Sequence, residues 1–189
     1  RGVFRHRLEF ILTAVGLVVE NAEEAEEEDS DRTEIVEHLF GHASESSSGE
    51  QRGRRGVLRF LESTFEPPKG AEEVLHRSHV AIDRITGGAA TGLLFEVTAV
   101  RPASTCTLTI ESDQVLDDQL QNLLNHVAKD INDGLIGVGG MTTRGYGSLT
   151  LVQSCQPQPF DVDDLRSCAA RLRAARQVES AEPEASTEE

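Results

Sequence analysis

The segment GLIGVGGMTTRGYGSLTLV, residues 134–152, constrains the fold more than any other part of this sequence. Six of its nineteen residues are glycine, and Arg144 and Tyr146 stand among the last of them. Glycine has no Cβ, so it adopts positive φ angles and lets the backbone approach another group closely. The segment therefore predicts a loop. It is either a hairpin turn that needs positive φ, or a loop whose backbone amides and Arg144 face an anion, with Tyr146 as a stacking surface.

This glycine-rich segment does not fit the common nucleotide-binding motifs. The position three after Gly139 is Thr142, so the dinucleotide fingerprint fails, and no Gly-Lys-Ser/Thr follows as in a Walker loop. Composition alone leaves the hairpin turn and the anion-binding loop open.

Three segments have the apolar spacing of amphipathic helices. The first covers residues 3–19, and the second covers 113–133, with Ser112 or Asp113 as N-cap and Gly134 just past its end. The third, DVDDLRSCAARLRAAR, follows Pro157 and Pro159 and reads as a capped C-terminal helix.

Several extended segments lie between these helices. The predicted strands are 57–62, a hairpin of 79–83 and 92–100, the alternating TCTLTIE at 105–111, and the short runs LIGV and SLTLVQ on either side of the glycine-rich loop. This order predicts an α+β protein, close to a ferredoxin-like (RRM-like) βαββαβ unit that lacks its first strand and carries an inserted hairpin. The open face of such a sheet binds single-stranded RNA in RNA-recognition modules.

The net charge of −15 is concentrated in two segments. Residues 20–37 carry −9 and residues 177–189 carry −5, which leaves the rest of the chain close to neutral. Clusters of like charge are typical of solvated, mobile chain, so we expect an acidic insert at 20–37, a flexible loop at 41–56 and a disordered acidic tail. Because the remaining chain is nearly neutral, the charge does not exclude a nucleic acid partner.

Other groups of residues indicate a functional site less strongly than the glycine-rich segment does. His76 and His79 have no third ligand at a useful spacing, so zinc is not favoured, and Asp83 beside Arg84 indicates an ion pair or a turn-orienting contact. The basic run RGRR at 52–55, with Arg59, could contact phosphate or form a solvated loop. The GxSxG motif of a serine nucleophile is absent. Three cysteines have no CxxC spacing, and we expect them to be reduced thiols: Cys106, Cys155 and Cys168. No transmembrane or signal-peptide pattern occurs, and we expect a cytoplasmic protein.

Four sequence landmarks together resemble one protein family. RGVFRHRLE, LFG, HVAIDRITGGAATGLLFE and GLIGVGGMTTRGYGSLTL are similar to landmarks of the RAMP-superfamily backbone subunits of type III CRISPR effector complexes. The resemblance covers Arg1 to about Val152, and IDRITGGA and GG…RGYG are its most specific parts. It implies a ferredoxin-like palm that polymerises along the guide RNA and a thumb hairpin, here about 67–104, that displaces one base from the guide–target duplex.

The resemblance also implies roles for individual residues. Arg1 and Arg5 would contact the guide backbone, and Asp83, Arg84 and Thr86 would lie at the base of the thumb. The resemblance implies that the RNA-binding residues also include His79, Gly139, Gly140, Arg144, Gly145, Tyr146 and Gly147. The expected partners are CRISPR guide RNA, target RNA, other copies of the chain and other effector subunits, without a membrane. The RAMP domain would span 1–155, and the C-terminal helix and tail 156–189.

Whether the protein is an enzyme stays open. In many such subunits an Asp on a loop before the first helix supports target-RNA cleavage with a divalent cation, Mg or Mn. This chain begins at that helix with Arg1 rather than Met, so we expect an N-terminally truncated piece, which itself binds no cofactor, and we assign no catalytic residue.

The sequence also departs from the family pattern. LESTFEPP stands where an acidic-ended strand usually follows LFG, and the acidic insert at 20–37 is unusual. The alternatives are a guide-processing RAMP endoribonuclease, with His6, His76 or His79 as general acid or base, and an acidic interaction domain without RNA.

Overall fold

The computed structural model describes residues 1–17, 31–45, 51–152 and 156–181. Most of the predicted acidic insert, the residues joining the two parts of the 41–56 segment, Cys155 and residues 182–189 of the predicted tail lie outside these ranges. The prediction of a disordered tail is wrong for residues 177–181, which belong to the last helix, Val162–Ala181. The chain divides into two compact units, one of residues 1–59 and 111–189 and the other of residues 60–110.

The fold is α+β. The helices are α1 (Gly2–Ala14), α2 (Asp31–Phe40), α3 (Asp118–Asn132) and α4 (Val162–Ala181). The strands are β1 (Gly41–Glu45), β2 (Gln51–Arg55), β3 (Leu58–Phe60), β4 (Val74–Ile82), β5 (Ala89–Val100) and β6 (Ile110–Ser112). Within the described ranges the strands form three two-stranded sheets, β1 with β2, β3 with β6, and β4 with β5. A single ferredoxin-like sheet therefore stays a prediction.

The core of the first unit is made by its helices. α1 packs against α2 and α3, and α4 packs against the same two helices. The apolar stripes of α1 and α3 are buried as the periodicity predicts, and α2, which the sequence did not predict, and α4 complete the core. The buried side chains are Phe4, Leu8, Ile11 and Leu12 from α1, Ile35, Val36, Leu39 and Phe40 from α2, Leu120, Leu123, Val127 and Ile131 from α3, and Leu165, Cys168 and Ala169 from α4. None of the helices in the described ranges is long and apolar enough to cross a membrane.

The prediction of a solvated, mobile acidic insert is wrong for residues 31–37, which form most of α2. Glu34 is 3% exposed, and its carboxylate lies 3.1 Å from Arg176 of α4. Glu37 is also buried and lies 2.9 Å from the His42 ring. Buried carboxylates need such partners, and the neighbouring apolar run from Ile35 to Phe40 supplies the burial that anchors the helix.

The prediction of a flexible loop at 41–56 is wrong as well for residues 41–45 and 51–55, because β1 and β2 pair there as antiparallel strands with Gly41 opposite Arg55. Gly41 and Gly56 allow the backbones at the start of β1 and the end of β2 to approach each other closely. A Cβ on Gly41 would lie 2.5 Å from the Arg54 carbonyl oxygen, and a Cβ on Gly56 would overlap the Gly41 nitrogen. The glycine of LFG is therefore required by backbone packing.

The alternating segment 105–111 forms less strand than predicted. Only Ile110–Ser112 is a regular strand, and Thr105 makes an isolated bridge to Glu66. Between them the Ser63 hydroxyl donates to the Thr107 carbonyl at 2.6 Å, in a place where a backbone amide would donate in a regular ladder. This side-chain bond interrupts the ladder.

α3 and α4 each begin after an aspartate whose carboxylate caps the N-terminus of the helix. The α3 N-cap is Asp117, whose carboxylate accepts from the Gln119 amide at 3.0 Å, so the prediction of Ser112 or Asp113 is wrong. Gly134 follows the helix with a φ of 73°, as predicted. α4 is capped by Asp161, which accepts from the amides of Asp163 and Asp164.

Candidate nucleic-acid interface

The glycine-rich segment forms a loop that is closed by a backbone crossing. The Val138 amide donates to the Gly147 carbonyl at 2.9 Å, and a Cβ on Gly147 would overlap the Val138 oxygen. Gly147 also has a φ of 74°. No side chain fits at this crossing, so glycine is needed there for both reasons.

Inside the loop the backbone turns sharply in several places. Thr142–Arg144 forms a single 3₁₀ turn between Met141 and Gly145, both of which have left-handed backbone conformations. The amides of Arg144 and Gly145 donate to Met141 and Thr142, whereas the amides of residues 139–143 donate to no backbone carbonyl in the described part of the chain. A run of unpaired amides beside left-handed residues is the geometry that binds anions in backbone nests.

The outer side of this loop is open. A Cβ on Gly139 or Gly140 would meet no atom within 4 Å, and Arg144 is exposed, while Tyr146 is half-buried. The predicted strands LIGV and SLTLVQ do not form in the described residues on either side, so the segment is not a β-hairpin. Instead, the Leu151 amide donates to the Asn132 side chain at 2.9 Å, which anchors the loop to α3.

Arg1 and Arg5 lie at the C-terminal end of α2. The Arg1 guanidinium donates to the Phe40 carbonyl, and Arg5 donates to the Gly41 carbonyl at 3.4 Å while pairing with Glu9 at 3.0 Å. Cations at a helix C-terminus are favourable because its carbonyls carry partial negative charge. The two arginines therefore cap α2, and each keeps further N–H donors that can reach a phosphate.

Sequence reasoning missed an aromatic residue on the outer face of α1. Phe10 is 55% exposed, and the guanidinium carbon of Arg7 lies 4.6 Å from its ring centroid. Arg7 in turn pairs with Asp130 of α3 at 2.7 Å. The i,i+3 spacing of Arg7 and Phe10 was the available signal.

The remaining candidate residues lie in the second unit, on β4 and the turn after it. His79 stacks on Phe95 of β5, with ring centroids 5.4 Å apart, and His76 is within 3.1 Å of the Thr98 hydroxyl. Both histidines pair across the hairpin, and the described residues contain no group of three or more His, Cys, Asp or Glu side chains that could hold a metal ion.

Asp83, Arg84 and Thr86 form the turn that joins β4 to β5, so they lie at the tip of this hairpin and the prediction of its base is wrong. The strands continue from this turn to Val74 and Val100, which places the base at the other end. Asp83 orients the turn, because its carboxylate accepts from the amides of Ile85 at 2.7 Å and Thr86 at 3.0 Å. These backbone bonds, with Thr86 the largest contribution, lower the pKa of Asp83.

The basic cluster around RGRR is partly neutralised. Arg55 and Arg59 lie 3.3 Å and 2.5 Å from the carboxylate of Asp113, and Arg59 is also 3.9 Å from Glu111. A phosphate would have to compete with these carboxylates, so the structure gives this cluster no clear preference for an anion from outside.

The predicted site residues fall into separate groups. Arg1, Arg5 and the glycine-rich loop belong to the first unit, whereas His79, Asp83, Arg84 and Thr86 belong to the second. Of the cysteines, Cys106 and Cys168 are free thiols, as expected. Burial, with a smaller effect of Asp117, raises the pKa of Cys168 to about 11, so this thiol is not a nucleophile at neutral pH.

Comparison with known proteins identifies one family. The family model of the RAMP superfamily matches residues 1–150 of this chain. The match ends before α4, which begins at Val162. No curated protein matches the chain in sequence.

Proposed function

The chain belongs to the RAMP superfamily, whose members are CRISPR-associated RNA-binding proteins that form complexes, and we propose that it is a guide-RNA-binding backbone subunit of a type III interference complex. In this proposal the protein acts in the cytoplasm in antiviral defence. It holds the guide RNA, supports target-RNA binding, and assembles with other copies of itself and other effector subunits.

The observation that carries the proposal is the glycine-rich loop. Its amides at residues 139–143 have no backbone acceptor among the described residues, and Gly139 and Gly140 leave the approach to them open. A phosphate oxygen could accept from these amides and from the exposed Arg144 together. Because a phosphate is common to every nucleotide, such contacts give affinity with little sequence preference.

The arginines of α1 would extend this contact along the RNA backbone. Arg1 and Arg5 already stand beside carbonyls at the end of α2, so their guanidinium groups are held in place before RNA arrives. Side chains that are ordered in advance lose less entropy when they bind.

We assign the role of the thumb to the β4–β5 hairpin. Its turn and the adjoining strands expose aliphatic side chains, with Ile85 96%, Leu94 72% and Ile82 68% exposed. Apolar side chains that enter between bases are a known means of unstacking nucleic acid. In this proposal the first unit corresponds to the ferredoxin-like palm.

Target-RNA cleavage with Mg or Mn would belong to the full-length protein. The described residues do not fit a metal site, since they contain no cluster of three or more suitable ligands.

The proposal is tested by expressing the full-length protein together with its neighbouring genes and a CRISPR array, and then purifying it through a tag. We expect the preparation to retain guide RNA that carries the repeat-derived sequence of the array. A preparation that assembles with its neighbours and carries no RNA would overturn the proposal.

A further inference from the structure

The outer face of α1 carries a row of exposed side chains that the proposed function leaves unused. His6 and Phe10 are four residues apart, on the same side of the helix, and both are exposed. A single exposed aromatic residue is common on protein surfaces and by itself indicates nothing. Phe10 differs from such a residue because its ring is held by other groups.

Arg7 fixes the position of this ring. Its guanidinium carbon lies 4.6 Å from the centroid of Phe10, while its Nε donates to Asp130 at 2.7 Å. Arg7 is itself mostly buried, with 19% of its side chain exposed. The guanidinium is thus locked between α1 and α3 and supports the ring from one side.

The same contact links Phe10, through α3, to the start of the glycine-rich segment. Asp130 lies in the last turn of α3, and its carbonyl accepts the amide of Leu135, the second residue of that segment. The aromatic ring is therefore tied, through Arg7 and Asp130, to the end of α3 from which the loop emerges.

We propose that Phe10 is a stacking platform for a base of single-stranded RNA. This inference rests on the proposed function, because it requires that RNA phosphates bind at the glycine-rich loop. Every base has an aromatic face, so the platform accepts any of the four bases. The ring of Phe10 is uncharged and neutralises no phosphate, so its contribution does not depend on counterion release.

The absence of tryptophan from the sequence allows a direct test. In a Phe10→Trp variant the new indole is the only tryptophan, and we titrate the full chain with single-stranded oligo(A) while recording the indole emission. We expect quenching that saturates together with RNA binding. A Val178→Trp variant, at a 66% exposed position on α4, is the matched control and should show no change.

A second variant measures the contribution to affinity. We expect Phe10→Leu to bind oligo(A) about 10-fold more weakly, with an unchanged dependence on salt. The side chain is exposed, so the variant should fold as the wild type does, which circular dichroism verifies.

The outcomes separate this inference from the proposed function. If the wild type binds RNA but the emission of the Phe10→Trp variant is unchanged and Phe10→Leu binds equally well, the platform is wrong and the proposed function stands. If the wild type binds no oligo(A), the platform is wrong, and the proposed function fails with it if the preparation assembled with its neighbours also carries no RNA. If the emission of the Phe10→Trp variant instead changes with protein concentration in the absence of RNA, the row contacts a second copy of the chain, which also overturns the platform.

Discussion

At the scale of single residues, the glycines of the loop differ in what they do. Gly147 has a positive φ, and a Cβ there would overlap the Val138 carbonyl oxygen. Gly140 has neither constraint, since a Cβ there meets nothing within 4 Å. Gly147 therefore allows the loop to close, whereas Gly140 leaves the backbone amides accessible.

We therefore expect Gly147→Ala to be destabilising. The left-handed backbone alone costs an alanine about 1–2 kcal/mol, and the contact with Val138 adds to this cost. Denaturant unfolding followed by circular dichroism measures the change. Gly140→Ala is the control and should alter the free energy of unfolding by less than about 1 kcal/mol. Equal stability of the two variants would contradict the account of the crossing.

The sequence was sufficient to predict that this segment is a loop, but not which glycines matter. Six glycines at 134–147 indicate turns. The crossing of Val138 and Gly147 depends on how the chain returns on itself, and no local pattern encodes that path. Phe10 was missed for a similar reason, because its support from Arg7 depends on Asp130, which is 123 residues from Arg7 in sequence.

At the scale of elements, the three helices predicted from the sequence formed, and so did the predicted hairpin, as β4 and β5, whereas α2 was not predicted and 105–111 formed only part of a strand. A helix forms its hydrogen bonds within itself, so its apolar stripe is sufficient to place it. A strand needs a neighbour, and 105–111 reaches only part of one because Ser63 interrupts the pairing. The strands β1 and β2 were missed because their pairing depends on close contact between Gly41 and Gly56.

The β4–β5 hairpin depends strongly on its turn. No residue in the second unit, 60–110, is buried, so the hairpin has little apolar core to hold it. Two-stranded hairpins of this kind are marginally stable without further support. The Asp83 carboxylate, which accepts two turn amides, holds the turn together with the backbone hydrogen bonds that join Asp83 to Gly87 and Gly88.

We expect Asp83→Ala to loosen the turn, because the amides of Ile85 and Thr86 lose their acceptor. Faster hydrogen exchange of these two amides by NMR is the measurement. Arg84→Ala, which leaves both bonds in place, is the control. Unchanged exchange in Asp83→Ala would show that the strands alone hold the turn.

The lowered pKa of Asp83 adds a dependence on pH. A carboxylate whose pKa is lowered by folding stabilises the fold above its ordinary pKa of 3.8, and this contribution is lost as the pH falls through the lower folded value. The exchange of the same amides in the wild type should therefore be slower than in Asp83→Ala at neutral pH and should approach the exchange of that variant only at strongly acidic pH.

At the scale of the whole molecule, α4 is part of the core although it lies outside the family match. Leu165, Cys168 and Ala169 of α4 are buried, and Arg176 pairs with the buried Glu34 of α2. The matched residues 1–150 therefore do not complete their own core. The packing of α4 against α2 could not be predicted from the sequence. The acidic composition of residues 31–37 indicates a solvated segment, and only the folded chain shows that α4 provides Arg176 and buried apolar side chains beside it.

We expect Leu165→Ala to lower the free energy of unfolding by about 2–5 kcal/mol, as is usual for a fully buried leucine. Chemical denaturation followed by circular dichroism measures it. Val178→Ala, at an exposed position of the same helix, should remain within about 0.5 kcal/mol of the wild type. If both variants unfold like the wild type, α4 does not contribute to the core.

The central claim is that this protein binds RNA through phosphate contacts at the glycine-rich loop, and Arg144 is the charged residue that should report it. The most direct measurement is a filter-binding titration with CRISPR RNA at increasing salt, on the wild type and Arg144→Ala. Arg166→Ala, at an exposed arginine of α4, is the matched control.

We predict that Arg144→Ala weakens binding to unrelated guide sequences alike, and that its log–log salt slope is shallower by about 0.7–1, as for one lost phosphate contact on a single strand. Its unfolding curve should match the wild type, and Arg166→Ala should bind normally. Wild-type protein that retains no RNA, or Arg144→Ala that binds with wild-type affinity and salt slope, would contradict the account.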